Sequence, residues 1–263
     1  MRFVCGSIMP RRGERRQIGL LSPVRHGRCT PPSAILESVP SLPPLRLPLQ
    51  PMFTGLVESL GRVVATTPES PGLRLRVEAA AVAADVAIGD SICVSGCCLS
   101  VVAIDGPRLD FQLGPETLAR TTLGRVAVDG HVNLERSLRF SDRLGGHLVS
   151  GHVDGGGTLT ARWQEGDWVT CRFTAPPSLL AQMAPKGSVT IEGVSLTVVD
   201  VTATDFSVAL IPHTLACTTL GGLAVGDGVN LETDLVFKYV ARWMEARPAA
   251  GGTLPAAGIM EGV

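Results

Sequence analysis

Aromatic side chains are scarce in this sequence, which contains seven Phe, three Trp and one Tyr among 263 residues. Proteins that bind single-stranded nucleic acid need stacking aromatics beside a basic groove, and the formal net charge here is only -1. Long apolar runs are also missing. The longest, from Ala79 to Ile88, is interrupted by Asp85 and is far shorter than the roughly 20 residues that cross a bilayer. The sequence therefore indicates neither a nucleic-acid partner nor a membrane span.

Charged residues make up 18 % of the chain and apolar residues 45 %, a composition typical of globular proteins rather than disordered ones. The cysteines number seven, an odd count in a chain long enough to bury a core without disulfides. Cys97 and Cys98 are adjacent and would point to opposite faces of a strand, and no second Cys or His pair has zinc-site spacing. We therefore expect a cytoplasmic location and no metal.

Residues 1–51 differ in composition from the remainder of the chain. They contain eight Arg, only two Glu, and nine of the 19 prolines, so their net charge is +6 and residues 52–263 carry -7. Such a segment cannot bury enough apolar surface to fold. An Arg-rich, acid-poor leader is typical of a transit peptide, while a start codon assigned too far upstream, with Met52 as the true start, explains the residues equally well.

From Met52 onward the sequence repeats itself with a period of 96 to 97 residues, which predicts two copies of one structural unit. In the three longer blocks, glycines, hydroxyl residues and apolar residues recur in register. The matching blocks are 54–61 with 150–157, 91–102 with 188–199, 115–124 with 212–221, and Val-Asn-Leu-Glu at 132–135, which recurs unchanged at 229–232.

Within each repeat the apolar residues alternate in short β-branched runs, as at Leu73, Leu75 and Val77. This periodicity indicates strands. About six strands per repeat at spacings of roughly 8 to 12 residues predict an all-β fold, either a small antiparallel sandwich or a closed barrel. The two Pro-x-Thr-Leu segments predict short helices.

The one long helical pattern is at the C-terminus. Six apolar residues from Leu235 to Met244 form a single stripe, and Thr233 or Asp234 can cap the helix. The first repeat has no such helix, because residues 137–148 form a linker in its place. We expect the stripe to need a partner surface, such as a trimer or dimer contact.

Four motifs, in order along the duplicated chain, give the sequence a family resemblance. They are Met-Phe-Thr-Gly-Leu-Val-Glu at 52–58, Gly-Cys-Cys-Leu-Ser-Val at 96–101, Gly-Gly-His-Leu-Val-Ser-Gly-His at 145–152 and Gly-Val-Ser-Leu-Thr-Val at 193–198. Over residues 52–246 the sequence resembles the riboflavin synthase family, alpha chain. The resemblance implies two tandem six-stranded antiparallel Greek-key barrels and a C-terminal helix.

With the resemblance, the chain divides into five predicted segments. These are a disordered extension at 1–51, an N-terminal lumazine-binding barrel at 52–148, a C-terminal one at 149–232, an oligomerisation helix at 233–247 and a flexible tail at 248–263. In the family the residue equivalent to Phe53 lies close to the substrates, so we expect the chain that begins at Met52 to be more active than the full-length chain.

The resemblance implies a dismutation that needs no cofactor. Two molecules of 6,7-dimethyl-8-ribityllumazine react, one gives a four-carbon unit to the other, and the products are riboflavin and 5-amino-6-ribitylamino-pyrimidinedione. It also implies a homotrimer in which the N-terminal barrel of one subunit faces the C-terminal barrel of a neighbour. Lumazine synthase is a further partner that the resemblance suggests. The alternative is a lumazine-binding or flavin-binding antenna protein, which would have one degraded pocket. A flavin-binding reductase barrel is disfavoured, since no Gly-x-Gly-x-x-Gly fingerprint is present.

The resemblance assigns substrate-binding residues to both barrels, with Ser91 among them. The N-terminal pocket is expected to be lined by Gly55, Leu56, Val57, Cys98, Leu99, Ser100, Gln112, Leu113, Gly114, Pro115, Glu116 and Thr117. The C-terminal pocket is expected to be lined by Gly151, His152, Val153, Lys186, Ser195, Leu196, Thr197, Ala209, Leu210, Ile211, Pro212, His213 and Thr214. Strand backbone groups and small hydroxyls in an apolar pocket suit the edge of a lumazine ring.

The reaction requires a proton to leave the 7-methyl group of one lumazine and a nucleophile or water to add to the other ring. The candidates are His152 as base, Ser195 and Cys98 near the reacting carbons, and Asp234 at the start of the last helix.

Each candidate also has a purely structural interpretation. His147 and His152 could be loop histidines that bond to backbone, Cys98 a small buried hydrophobe and Asp234 a helix cap. Lys186 aligns with Gly89 of the first repeat, so the fold itself does not require a lysine there. Three residues depart from the family pattern: Ser100 stands for the usual Thr, and Glu192 and His213 replace residues that are often Asp and Glu.

Overall fold

A computed structural model describes residues 51–246 of the chain. The predictions of a disordered extension at 1–51 and of a flexible tail at 248–263 thus fall outside the described residues, except for Pro51. In the described residues, no helix is long and apolar enough to cross a membrane.

Twelve strands form two closed antiparallel barrels of six strands each, as the repeat predicts. The first barrel contains β1 (Ser59–Glu69), β2 (Gly72–Glu78), β3 (Ser91–Val94), β4 (Cys97–Asp105), β5 (Arg108–Leu113) and β6 (His131–Arg136). The second contains β7 (Gly155–Glu165), β8 (Trp168–Thr174), β9 (Ser188–Ile191), β10 (Val194–Val201), β11 (Asp205–Leu210) and β12 (Gly228–Thr233).

The two barrels share one Greek-key topology. Their strand orders are β1-β2-β5-β4-β3-β6 and, in the equivalent strands, β7-β8-β11-β10-β9-β12. Closure pairs the last strand of each barrel with the first, so neither barrel leaves an open edge. Of the two alternatives that the periodicity allowed, the closed barrel is therefore confirmed and the sandwich is wrong.

Alternating side chains fill each barrel, which explains the period of two in the sequence. In β2, for example, Leu75 and Val77 are fully buried and belong to the core of the first barrel. In the second barrel Phe173 of β8 and Phe206 of β11 stack with their ring centroids 5.7 Å apart. Each barrel thus has its own apolar core.

In the described residues, five α-helices join or follow the strands, and a short 3-10 helix follows each of the second and fourth, at Thr122–Arg125 and Thr219–Gly222. The α-helices are α1 (Ala80–Ala83), α2 (Pro115–Arg120), α3 (Pro177–Leu180), α4 (Pro212–Cys217) and α5 (Leu235–Glu245). The Pro-x-Thr-Leu segments begin α2 and α4 as predicted, with Pro at the first helical position, where no backbone N–H is needed. Asp234 caps α5 by accepting a hydrogen bond from the backbone N–H of Val236 at 2.9 Å.

The apolar stripe of α5 faces outward. Val236, Tyr239 and Met244 are 57, 71 and 63 % exposed, and no residue of the helix is buried. Among residues 51–246, the barrels therefore leave this stripe open to a further surface.

The two barrels meet through their unchanged Val-Asn-Leu-Glu motifs. Asn133 of β6 donates from Nδ2 to the carbonyl oxygen of Glu192 at 2.8 Å, and Asn230 of β12 donates to the carbonyl oxygen of Ser95 at 2.8 Å. The tight turns that contain Ser95 and Glu192 pack against each other, because Gly96 and Gly193 have no side chains to separate them. The two copies of the motif thus also form a pseudo-twofold interface between the barrels.

Candidate functional site

Two buried carboxylates hold the segments that precede the barrels. Glu135 accepts hydrogen bonds at 2.7 Å from both the backbone N–H and the hydroxyl of Thr54, and one at 3.0 Å from the N–H of Gly55. Glu232 does the same for Ser150 at 2.7 Å and for Gly151 at 2.9 Å. Burial raises the pKa of both carboxyls, although the hydrogen bonds act in the opposite direction. The glutamates of the repeated motif thus hold the two segments in place.

Each clamped segment crosses to the other barrel. The carbonyl oxygen of Gly55 accepts a hydrogen bond from the N–H of Ser195 in β10 at 2.8 Å, and that of Gly151 accepts one from Cys98 in β4 at 2.7 Å. Val57 packs against the core of the second barrel and Val153 against the core of the first. Residues 55–57 therefore lie against the second barrel and residues 151–153 against the first.

This arrangement corrects the expected grouping of the pocket residues. The resemblance placed Gly55, Leu56 and Val57 in the N-terminal pocket, and Gly151, His152 and Val153 in the C-terminal one. The chain instead forms a bridge between Phe53 and Val149, which places the two segments side by side between the barrels. Each segment then lies on the strand of the opposite repeat.

Glycine is required where the segments touch the strands. Gly55 and Gly151 have φ values of 76 and 75°, in the left-handed region that favours glycine. A Cβ at Gly55 would lie 2.6 Å from the Cβ of Ser195, and one at Gly151 would lie 2.7 Å from the Cβ of Cys98. Neither position has room for a side chain.

A cavity of about 420 Å³ opens at the N-terminal pocket, within the size range of small-molecule sites. Six of the predicted residues line it: Cys98, Glu116, Thr117, Gly151, His152 and Val153. At its wall Arg120 donates to Glu116 at 2.9 Å along α2. Burial raises the pKa of the Cys98 thiol, so the sulfur stays protonated and is a poor nucleophile.

At β9 and β10 of the second barrel, the structure contains a hydrogen-bonded group that the sequence did not predict. Ser195 Oγ lies 2.7 Å from Nδ1 of His147, and the other ring nitrogen of His147 lies 3.2 Å from Thr190 Oγ1. The charge of Asp234 raises the pKa of this imidazole, but burial lowers it by more. His147 was not among the predicted site residues, although it lies in the Gly-Gly-His-Leu-Val-Ser-Gly-His motif at 145–152 that carries the family resemblance.

Several predicted residues can offer only backbone groups to a ligand. Leu99, Leu113 and Leu210 point into the barrel cores and are 5, 1 and 1 % exposed, whereas Ser100 and Thr197 are exposed on β4 and β10. Leu196 is half-buried against the core of the second barrel. The other predicted residues outside the cavity are half-buried or exposed: Gln112, Gly114, Pro115, Ala209, Ile211, Pro212, His213 and Thr214.

Lys186 lies in a left-handed turn with a φ of 68°. Its backbone N–H donates to Val198 at 2.7 Å, just as Gly89 donates to Val101 at 2.8 Å in the first barrel. Since glycine fits this conformation better, the turn does not explain the lysine, whose side chain is exposed.

A second cavity of about 520 Å³ lies beside the linker that joins the barrels. Of the predicted residues it contains Leu56 and Ser91, and its wall includes Arg136, which is paired with Glu58 at 2.6 Å. The other charged residues in its wall are mixed in sign. The structure therefore does not gather all the predicted residues in one place.

Comparisons with known proteins agree with this architecture. The family model described as the lumazine binding domain matches the chain twice, over residues 54–137 and 150–234. The chain is 44 % identical over 200 residues to the riboflavin synthase of Mycobacterium tuberculosis, which covers 74 % of this chain and 99 % of that protein. It is 38 % identical over 198 residues to that of Actinobacillus pleuropneumoniae, with 75 and 92 % covered.

Solved structures give the same result. LumP complexed with 6,7-dimethyl-8-(1'-D-ribityl) lumazine is similar with a TM-score of 0.63 at 25 % identity, over 69 % of this chain and 98 % of that one. LumP complexed with riboflavin matches with a TM-score of 0.65 at 25 % identity and the same coverage.

Proposed function

The chain belongs to the riboflavin synthase family of transferases, and we propose from this that it converts two molecules of 6,7-dimethyl-8-ribityllumazine into riboflavin and 5-amino-6-ribitylamino-pyrimidinedione. One observation carries the proposal: a single chain presents two equivalent clamped segments, each lying on a strand of the other barrel. A reaction between two identical substrates needs two similar pockets, and the duplication supplies them.

We propose that each lumazine lies along the strand that faces a clamped segment. In the N-terminal pocket these are Cys98 to Ser100 with residues 151–153, and in the C-terminal pocket Ser195 to Thr197 with residues 55–57. Backbone groups along β4 and β10 would bind the edge of the ring. Thr117, Thr214 and the Lys186 ammonium would bind the ribityl hydroxyls, because each unpaired buried hydroxyl costs about 1 to 3 kcal/mol.

The pockets provide the groups that the chemistry needs. His152 is exposed in the N-terminal cavity, where it would take a proton from the 7-methyl group of the donor lumazine. Ser195 and the carboxylate of Asp234 lie near His147 in the C-terminal half and would act on the second ring. The protonated Cys98 would contact substrate without serving as the nucleophile.

We further propose that a complete site forms between the N-terminal barrel of one copy and the C-terminal barrel of another, in a trimer. The exposed apolar stripe of α5 supports this assembly, since such faces are usually buried against a partner. The five cysteines in the described residues are free thiols, which is in keeping with a cytoplasmic location. Association with lumazine synthase stays a prediction.

The test is to incubate the purified full chain with 6,7-dimethyl-8-ribityllumazine alone, without any added cofactor. Absorbance follows riboflavin formation, and chromatography counts both products. We expect one riboflavin for every two lumazines consumed. Tight binding of lumazine without turnover would overturn the proposal and support a non-catalytic antenna protein of the same fold.

A further inference from the structure

His147 differs from the other histidines of residues 51–246 in being buried, at 9 % exposure. It stands at the end of the linker, where its backbone N–H donates to the carbonyl oxygen of Thr54 at 3.1 Å. Its ring lies against the paired strands β9 and β10, with Nδ1 2.7 Å from Ser195 Oγ and Nε2 3.2 Å from Thr190 Oγ1. Both ring nitrogens therefore have hydroxyl partners.

This geometry is typical of an activated hydroxyl. A nucleophile and a base lie within hydrogen-bond distance, and a third group orients the base. In the tautomer protonated at Nε2, the ring donates to Thr190 and its free Nδ1 accepts the hydroxyl proton of Ser195. Burial favours the neutral imidazole, the form that accepts protons.

Two acids face this group from β12 and the start of α5. Asp234 acts on the imidazole through its charge and would stabilise the imidazolium once a proton has arrived. Glu232 pairs with Thr190 across the strands, but its carboxylate accepts from Ser150 and Gly151 and is thus engaged elsewhere. Asp234 is therefore the acid that influences the proton on His147.

The first repeat has no counterpart of this group. The positions equivalent to His147, Thr190 and Ser195 hold Pro51, Cys93 and Cys98. Cys93 is fully buried and burial raises the pKa of its thiol well above the ordinary value, while Cys98 is hydrogen-bonded to Ser91. The two barrels thus have the same backbone arrangement here, but only the second has side chains that could activate a nucleophile.

We propose that His147 is a positioning residue that holds Ser195 and accepts its hydroxyl proton, so that the C-terminal barrel is the half that adds the nucleophile. This inference rests on the function proposed above. The O–H bond of Ser195 breaks, its proton moves to Nδ1, and the Oγ electron pair forms a bond to the carbon that bears the 7-methyl group. The ring π system takes up the displaced pair. When the C–O bond breaks later, the proton returns to Oγ.

The experiment compares His147→Gln, Ser195→Ala and the double variant in steady-state riboflavin formation across pH 5 to 9. Glutamine keeps a hydrogen bond to Ser195 but cannot accept its proton. General-base catalysis contributes about 10²- to 10⁴-fold, so we expect His147→Gln to lower kcat by about 10²-fold, with KM changed by less than about threefold. Its pH profile should lose the acid limb that protonation of the imidazole gives the wild type.

The double variant distinguishes a shared step from a structural effect. If His147 acts through Ser195, the kcat of the double variant should be no lower than that of Ser195→Ala, because the effects of substituting residues that act as a unit are not additive. His131→Gln, an exposed histidine at the start of β6, is the matched control and should leave kcat unchanged. If His147→Gln does not fold, Thr190→Val provides the same comparison, since it removes only the hydroxyl that orients the ring.

A kcat for His147→Gln within twofold of the wild type would overturn the proposal, and so would a pH profile that matches the wild type. The proposal would also be wrong if the loss of kcat in the double variant equalled the product of the losses in the two single variants. Wild-type protein that makes no riboflavin would instead contradict the proposed function itself, so the two failures are distinguishable.

Discussion

Asn133 and Asn230 hold the two barrels together reciprocally: each side-chain amide donates at 2.8 Å to a carbonyl oxygen in the tight turn of the opposite barrel. The amide oxygens also accept hydrogen bonds across the interface. Asn133 Oδ1 accepts one from the backbone N–H of Thr219 at 2.8 Å, and Asn230 Oδ1 accepts one from the backbone N–H of Thr122 at 2.7 Å. These bonds cross the pseudo-twofold interface and fix where the clamped segments lie. The relative position of the barrels is thus set by polar contacts as well as by packing.

Removing one of these amides should destabilise the protein strongly. Asn133→Ala leaves the carbonyl of Glu192 and the N–H of Thr219 without their partner, and each unsatisfied buried group costs about 1 to 3 kcal/mol. We expect the free energy of unfolding, measured with urea, to fall by about 2 to 4 kcal/mol. Gln164→Ala removes only an exposed bond within one hairpin and should change it by less than about 0.5 kcal/mol. Equal effects of the two variants would contradict the role of the interface.

Glu192 should make stability depend on pH. Its carboxyl is buried in the barrel interface, where it accepts from the N–H of Asn230 at 2.6 Å, and burial raises its pKa to about 7 from an ordinary 4.5. The folded state therefore holds this proton more tightly than the unfolded chain. Its stabilising contribution is complete below pH 4.5 and is lost as the pH rises through 7, an effect of about 3 kcal/mol.

Glu192→Gln removes this titration and keeps an acceptor oxygen toward Asn230. Urea unfolding between pH 4.5 and 8 should show a smaller decline in stability for the variant than for the wild type. Glu135 and Glu232 titrate in both proteins, so the difference between the two curves isolates Glu192. Parallel curves would show that this carboxyl is not responsible.

Gly151 should not tolerate a side chain. In Gly151→Ala the new Cβ meets the Cβ of Cys98 at 2.7 Å, which would push residues 151–153 away from β4. We expect riboflavin formation to fall at least about tenfold, since displacements of about 1 Å cost on the order of 10²-fold in well-positioned sites.

Gly106→Ala is the matched control for this variant. Gly106 also has a positive φ, 56°, but nothing lies within 4 Å of its added Cβ. Gly106→Ala therefore introduces the same backbone strain as Gly151→Ala, about 1 to 2 kcal/mol, but its new Cβ contacts no other residue. If both variants lost activity equally, the close approach to Cys98 would not be the cause.

The repeated and periodic parts of the sequence predicted most of the fold. Alternation at Leu75 and Val77 indicated strands, and the apolar spacing from Leu235 to Met244 indicated α5. The unchanged recurrence of Val-Asn-Leu-Glu also contained a signal, because a polar Asn and Glu within a buried strand need partners. The sequence could not show that those partners are the opposite barrel and the clamped segments.

The pairing of segments with pockets was not predictable from the same patterns. A repeat shows which residues are equivalent, but not whether residues 55–57 lie on their own barrel or on the other one. That depends on the chain path through Phe53 and Val149. His147 was missed for a related reason: it lies in the linker that occurs once, where neither periodicity nor repetition indicates a contact with Ser195.

The most direct test of the account mixes two variants that damage different pockets. His152→Ala impairs the N-terminal pocket and Ser195→Ala the C-terminal one, and the two chains, differently tagged, are co-expressed and the mixed oligomers purified. If each site combines an N-terminal barrel with the C-terminal barrel of a neighbour, one of the three sites in every mixed trimer regains both intact halves. We predict that riboflavin formation recovers to about that fraction of the wild-type rate. A mixture no more active than its separate variants would contradict a site shared between copies.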